Sequence, residues 1–351
     1  MPVAACHGPD EGVRLVKLVT YVTSPDTPRD AGRAGVLLDD LLLDLNQLGL
    51  WASQHGASVS STLPETMLDL LRTGPDGMAA ARAAFDAASR AGAEHLRGES
   101  GLAYPSADVT LRTPLPNPPT VRDFYAFEQH VKAARARRNV GMIPEWYQIA
   151  VFYFSNTSAL YGAEEPIPYP RLSHELDFEL EMAAVIGQEG CDIAAEEASA
   201  YIAGYMVMND WSARDLQRDE MKLNLGPAKG KDFATSFGPW LVTPDELEDR
   251  RVGSGKDERF DLAMTGNING DQLTNANAKD IYFTFPQMIE RASQHVRLRP
   301  GDIIGSGTCG TGCILELGTE RHRWLQPGDV VEMSIERLGA LRNQIVAGKD
   351  R

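Results

Sequence analysis

The sequence predicts a β-rich α+β protein with peripheral helices and a small β-rich N-terminal domain. Three observations carry this. Beyond residue 120, short apolar runs of strand length outnumber long helical patterns. Two Pro-Gly-Asp turns, Pro300-Gly-Asp302 and Pro327-Gly-Asp329, each precede a β-branched run. Neither a GxGxxG nor a Walker loop is present to signal a doubly wound nucleotide-binding sheet.

Taken in order, residues 1 to about 13 read as a loose tail. Alternating apolar residues over Val13–Val22 and Ala34–Leu45 predict strands, with a hairpin turn at Asp39-Asp40. Helical periodicity follows at Pro64–Arg72 and over an alanine-rich stretch, Gly77–Leu96. The segment Thr113–Thr120 carries four prolines, which fix φ and remove backbone donors. It therefore reads as a linker, giving a small domain over 1–112, a linker at 113–122 and a catalytic domain over 123–351. In that last part, strands are expected at Glu179–Ile186, Ile202–Met208, Trp240–Thr243, Ile303–Gly307 and Val330–Ile335.

With 351 residues and 43% hydrophobic content, the chain can bury a large core. The balance of 34 basic against 49 acidic residues, −15 net, argues against a nucleic-acid surface, which needs a concentrated basic face. An anionic substrate would need a bound cation or a few well-placed Arg and Lys residues. The four cysteines form no disulfide framework, and Cys309-Gly-Thr-Gly-Cys313 lacks the spacing of a zinc knuckle or a redox CxxC. No apolar run reaches membrane-spanning length and no signal-peptide core opens the chain. A reducing, cytoplasmic setting follows as the expectation, without membrane attachment.

The densest chemical signal is His174-Glu-Leu-Asp-Phe-Glu-Leu-Glu-Met182. As a strand it sets Asp177, Glu179 and Glu181 on one face, against Phe178, Leu180 and Met182. Two like charges about 4 Å apart repel by roughly 4 kcal/mol at an effective dielectric near 20. An inward-facing acidic row therefore calls for a hard divalent cation between its oxygens. The alternative is a half-exposed strand with a solvated acidic face. Next, Met208-Asn-Asp-Trp-Ser212 reads as a strand exit with a helix N-cap, placing Asp210 at the strand end. Arg214 and Gln217 then share one helical face, able to meet an anionic substrate, unless this is an ordinary capped surface helix. Asp123 and His130 lie seven apart in a predicted helical run, hence on one face, although a lone helical histidine is commonly structural.

These segments together resemble the fumarylacetoacetate hydrolase family, from about Asn117 to the C-terminus. The resemblance rests on Asp123-Phe-Tyr-Ala-Phe-Glu-Gln-His130, Asp177-Phe-Glu-Leu-Glu-Met182 and Met208-Asn-Asp-Trp-Ser-Ala-Arg-Asp-Leu-Gln217. Gly230-Lys-Asp-Phe233, Phe237-Gly-Pro-Trp240 and Gly301-Asp-Ile-Ile-Gly-Ser-Gly-Thr308 continue it in order. It implies a rolled β-sheet core with a small β-rich N-terminal domain, a homodimer, and a bound Mg²⁺ or Ca²⁺, with Mn²⁺ as a further candidate. Carried over by motif, Asp123, Glu179, Glu181 and Asp210 are the implied metal ligands and His130 the general base. Glu316 is implied to orient that base, Arg214, Gln217 and Lys231 to stabilise oxyanions, and Tyr125 and Tyr153 to line the substrate site.

The implied activity is hydrolysis of a carbon–carbon bond in a small 1,3-dicarbonyl acid of fumarylacetoacetate or acylpyruvate type. That reaction needs water attack on one carbonyl and an electron sink for the departing carbanion, which a divalent ion binding the enolate provides. Within the superfamily the alternative is a 2-oxo acid decarboxylase, hydratase or isomerase. Outside it the alternative is a non-catalytic binding protein. Two departures bear on substrate choice: Phe154-Ser-Asn156 replaces a basic, glycine-containing continuation, and Asn139 stands where the family hydrolase has an arginine, with Arg135, Arg137 and Arg138 nearby.

Overall fold

A computed structural model of the chain describes residues 16–59 and 62–348. The expected leading tail, the start of the first strand run and Cys6 lie outside the described residues. From Val16 onward the chain builds a mixed α+β architecture around a large sheet, twelve-stranded among the described residues, and a second sheet of five strands.

Three long strands, Leu180–Ile186, Ile202–Asp210 and Thr235–Val242, form the middle of the large sheet. Their side chains are nearly all buried because the sheet is covered on both faces. Alternation divides the covering cores. Leu180, Met182, Ala184 and Ile186 enter one cluster, with Trp211, Met264 and Met333. Ala183 and Val185 enter the other, with Val121, Met206 and Met208. Glu181 shares its side of the strand with Ala183, Asp210 with Met208, and Asp123 with Val121. The three carboxylates thus sit on one face of the sheet.

The hairpin forms as expected: Arg33–Leu38 pairs with Leu41–Asp44, and Asp39 takes the left-handed φ of 54° at the turn. These strands do not stand apart. Lys17–Val22 pairs with Arg33–Leu38 on one side and with Thr235–Val242 on the other, joining the N-terminal strands to the central sheet. A helix not foreseen in the sequence, Leu45–Gln54, follows directly, capped by Asp44, which accepts from the Gln47 amide at 3.0 Å. The expected Gly77–Leu96 helix begins earlier and divides into Gly74–Ala91 and Ala93–Leu96, because Gly92 turns to φ 85°. The proline segment carries the chain from Thr110–Leu111 to Val121–Phe124, tied to the first strand by Thr20 Oγ1 donating to the Pro114 carbonyl at 2.7 Å.

Three local expectations are corrected. Asp123 is not helical. Val121–Phe124 is a strand, parallel to Ile303–Gly305 and antiparallel to Phe152–Ser155, and the helix starts only at Glu128, so Asp123 and His130 share no helical face. The acidic run is not one strand: Leu176–Asp177 pairs with Ser212–Ala213, the chain breaks at Phe178-Glu179, and the long strand starts at Leu180. Ser212 caps no helix; its hydroxyl donates to the Asp210 carbonyl, and the Arg214–Met221 helix starts without a side-chain cap. Among the described residues no helix is long and apolar enough to cross a membrane.

Candidate metal and active site

The end of the large sheet gathers the chemistry. Asp123 comes from the Val121–Phe124 strand, Glu181 from the start of Leu180–Ile186 and Asp210 from the end of Ile202–Asp210. One carboxylate oxygen from each lies within 4.8 Å of the others, and all three residues are buried. Asp123 Oδ1, Glu181 Oε1 and Asp210 Oδ1 have no hydrogen-bond partner in the protein. Such buried acceptors are costly unless a donor or a cation meets them. A cluster of bare, hard oxygens fits Mg²⁺, Mn²⁺ or Ca²⁺. Close packing keeps it tight: a Cβ on Gly305 would lie 2.8 Å from Asp123 Oδ1.

The second oxygens of Asp210 and Glu181 are anchored. Asp210 Oδ2 accepts from Tyr153 Oη at 2.6 Å and from Lys231 Nζ, and Glu181 Oε2 accepts from the Gly307 amide at 2.9 Å. Glu179 stands beside the three with both oxygens engaged, Oε2 by Lys231 and Oε1 by Arg214 at 2.8 Å. Its amide is held by Asn209 Oδ1 at 3.0 Å. Four carboxylates therefore share Lys231 and part of Arg214, an excess of negative charge that a divalent cation would cancel.

Titration follows this geometry. Burial, reinforced by Asp210, pushes the Asp123 carboxyl well above the usual range. Burial and the neighbouring carboxylates do the same to Glu181. Asp210 rises through burial despite Lys231. Glu179 moves the other way: burial opposes its ionisation, but the Lys231 and Arg214 charges together hold it well below the usual range. Lys231, desolvated yet faced by Asp210 and Glu179, is held above an ordinary lysine.

His130, on the Glu128–Arg137 helix, belongs to a second cluster, with Cys313 and Glu316. Its Nδ1 lies 3.0 Å from Glu316 Oε2, and Glu316 Oε1 accepts from the Thr311 amide at 2.8 Å. Tyr125 packs edge-on against the imidazole, ring centres 5.6 Å apart. The Tyr125 carbonyl in turn accepts from Trp146 Nε1 at 3.0 Å.

Arg214 and Gln217 do share a helical side, with Arg214 Nη1 donating to Gln217 Oε1 at 3.1 Å. The guanidinium is turned inward, however, and grips Asp177 as well as Glu179. Asp177, left out of the site by the sequence reading, is thus the anchor of Arg214. It also accepts from the Ile314 and Leu315 amides at 2.8 and 3.0 Å, tying the acidic run to the segment that bears Glu316. Its conspicuous signal was its place in the acidic run. Of the arginines near Asn139, Arg137 is spent on Glu320 and the Leu317 carbonyl. Arg135 and Arg138 bond only to carbonyls of their own segment among the described residues.

The profile of the family described as "Fumarylacetoacetate (FAA) hydrolase C-terminal" matches residues 120–346. The chain is 30% identical to a fumarylacetoacetase from Oryza sativa subsp. japonica, over 88% of this chain and 85% of that one. It is 29% identical to the mitochondrial oxaloacetate tautomerase FAHD2A of Bos taurus, over 96% of this chain and 93% of the relative. Among solved structures, maleylpyruvate hydrolase from Sphingobium sp. SYK-6, in complex with manganese(II) and pyruvate, superposes with a TM-score of 0.65 at 24% identity. The match covers 95% of this chain and all of that one.

Proposed function

The chain belongs to the fumarylacetoacetate hydrolase family, and from that membership we propose a divalent-metal-dependent hydrolase that cleaves a carbon–carbon bond in a small anionic 1,3-dicarbonyl acid. The observation that carries this reading is the largely buried His130–Glu316 pair, 3.0 Å apart, near three unpartnered carboxylate oxygens.

Asp123, Glu181 and Asp210 would hold the cation, with Glu179 as the fourth ligand. When bound, the cation supplies Lewis-acid polarisation of the dicarbonyl. With Nδ1–H donated to Glu316, His130 would present Nε2 as the acceptor for a proton from water. Glu316, fixed by the Thr311 amide, favours the imidazolium that forms. Lys231 spends two of its three N–H donors on Glu179 and Asp210 and retains one for a substrate oxygen. Gln217 accepts from Arg214, so its NH₂ is left to donate to substrate. Tyr125 and Tyr153 wall the same space. Arg135 and Arg138 would meet the distal carboxylate of a substrate that Asn139 cannot.

A second reading, tautomerisation or isomerisation of a 2-oxo acid, is supported by the bovine oxaloacetate tautomerase, which aligns over 96% of this chain. A panel of acylpyruvates and oxaloacetate, followed by enol absorbance with and without Mg²⁺, separates them. Metal-dependent loss of acylpyruvate enol with two acid products supports hydrolysis; turnover confined to oxaloacetate keto–enol exchange supports the second reading. We further read the protein as a homodimer of a reducing, cytoplasmic compartment. Supporting this are the free Cys191, Cys309 and Cys313, and the exposed Phe154 on the edge strand Phe152–Ser155 with Val151 just before it.

A further inference from the structure

We propose that Cys313, His130 and Glu316 form a second cation site, selective for thiophilic metals of the Zn²⁺ and Cd²⁺ class, that blocks the general base when filled. Cys313 takes no part in the chemistry above, yet its Sγ lies 3.9 Å from His130 Nδ1, which is itself 3.0 Å from Glu316 Oε2. One ligand atom from each residue falls within 4.8 Å of the others. Tetrahedral Zn²⁺ with sulfur, nitrogen and oxygen ligands at 2.0–2.3 Å needs ligand–ligand edges of about 3.3–3.6 Å. The Sγ–Nδ1 and Nδ1–Oε2 separations straddle that range and the sulfur–carboxylate edge lies within 4.8 Å, so the three side chains can close on one ion, with water as the fourth ligand.

The donor set distinguishes this site from the carboxylates beside it. Thiolate and imidazole prefer Zn²⁺ or Cd²⁺, whereas the bare oxygens of Asp123, Glu181 and Asp210 prefer Mg²⁺ or Mn²⁺. Burial pushes the Cys313 thiol well up, so without a soft cation it stays protonated and inert. Binding replaces the thiol proton, which leaves to solvent, and moves the imidazole proton from Nδ1 to Nε2. With one thiolate, one carboxylate and a neutral imidazole, the filled site carries no net charge, as a buried site requires. The proton on Nε2 then prevents the ring from taking one from water. Cys309 is not in this group: Glu316 lies three residues beyond Cys313, and His130 comes from a helix 183 residues earlier in the chain.

The binding does not depend on which reaction the enzyme catalyses, so it is tested without substrate. The full chain, held in excess Mg²⁺ to fill the carboxylate cluster, is titrated with Cd²⁺ while the ultraviolet thiolate-to-metal absorbance is followed. We expect one equivalent bound with one proton released, reversal by Zn²⁺, loss of the band in Cys313→Ala and Cys313→Ser, and its retention in Cys191→Ser. If neither Cys313 variant folds, Glu316→Gln, which keeps the thiol, should weaken Cd²⁺ binding at least roughly tenfold. Absence of a thiolate band in the wild type, its persistence without Cys313, or undiminished affinity in Glu316→Gln overturns the proposal.

Discussion

Replacing Arg214 with lysine keeps the charge and removes the fork. In the structure the guanidinium donates from Nε to Asp177 Oδ2 at 2.8 Å and from Nη1 to Gln217 Oε1 at 3.1 Å, while Nη2 lies in ion-pair contact, 2.8 Å from both Asp177 Oδ2 and Glu179 Oε1. A lysine ammonium is a single point with three donors and cannot span these acceptors. At least one buried, charged acceptor is left short, at a cost of about 1–3 kcal/mol. Arg214→Met removes the charge altogether. Breaking a buried pair costs about 3–5 kcal/mol, and the lower end applies here, because Asp177 keeps the Ile314 and Leu315 amides and Glu179 keeps Lys231. Urea denaturation at fixed Mg²⁺ should therefore order stability as wild type, then Arg214→Lys, then Arg214→Met. Catalytic efficiency should fall strongly in both variants. If Arg214→Lys matches the wild type in denaturation midpoint and turnover, the inward-facing fork does not hold the site together.

Exhaustive chelation should abolish turnover and lower the thermal midpoint, since a ligand at a hundred times its Kd stabilises by about 2.7 kcal/mol; unchanged activity after chelation would refute the carboxylate centre. Gly305→Ala should push Asp123 Oδ1 or the Met208 sulfur out of place, both within 3.0 Å of the added carbon, and calorimetry should show weaker Mg²⁺ or Mn²⁺ binding in a variant that still folds. Asp329 gives a pH signature away from the site: burial would raise its carboxyl, but hydrogen bonds from Arg323, Asn269 and the Gln326 amide outweigh this and hold it at about 2. A folded value below the unfolded one stabilises above about pH 4 and fades as the pH falls through the folded value. Asp329→Asn should therefore melt below wild type at pH 7, with the gap closing toward the acid end, and a constant gap would contradict the assignment.

Where neighbours in sequence are neighbours in space, the sequence was a good guide. The Asp39-Asp40 turn and the two Pro-Gly-Asp corners needed only local chemistry, and the structure puts strands behind each. It was a poor guide where a distant partner decides. Val121–Phe124 has helix-compatible spacing toward His130, but hydrogen bonds from Ile303–Gly305, some 180 residues later, make it a strand. The break at Phe178-Glu179 is equally invisible to alternation, because it depends on Asp177 reaching Ser212 across another pair of strands. Motif resemblance named Asp123, Glu181 and Asp210, which converge, and His130 and Glu316, which pair. It said nothing of Cys313 beside the imidazole. The engagement of both Glu179 oxygens by Lys231 and Arg214 also lay beyond it, because side-chain pairing across 35 to 52 residues leaves no trace in spacing.

In the proposed reaction His130, oriented by Glu316, activates water to split a carbon–carbon bond. Turnover of an acylpyruvate in H₂¹⁸O, with products resolved by mass spectrometry, tests it most directly. Two shorter acids are expected, one carrying a single solvent ¹⁸O in its new carboxylate, with a loss of about 10²–10⁴-fold in rate in His130→Ala. Glu316→Gln added to that variant should cost little more, because the two act as one unit. Release of CO₂, or keto–enol exchange with the carbon skeleton intact and no ¹⁸O in a carboxylate, would contradict it.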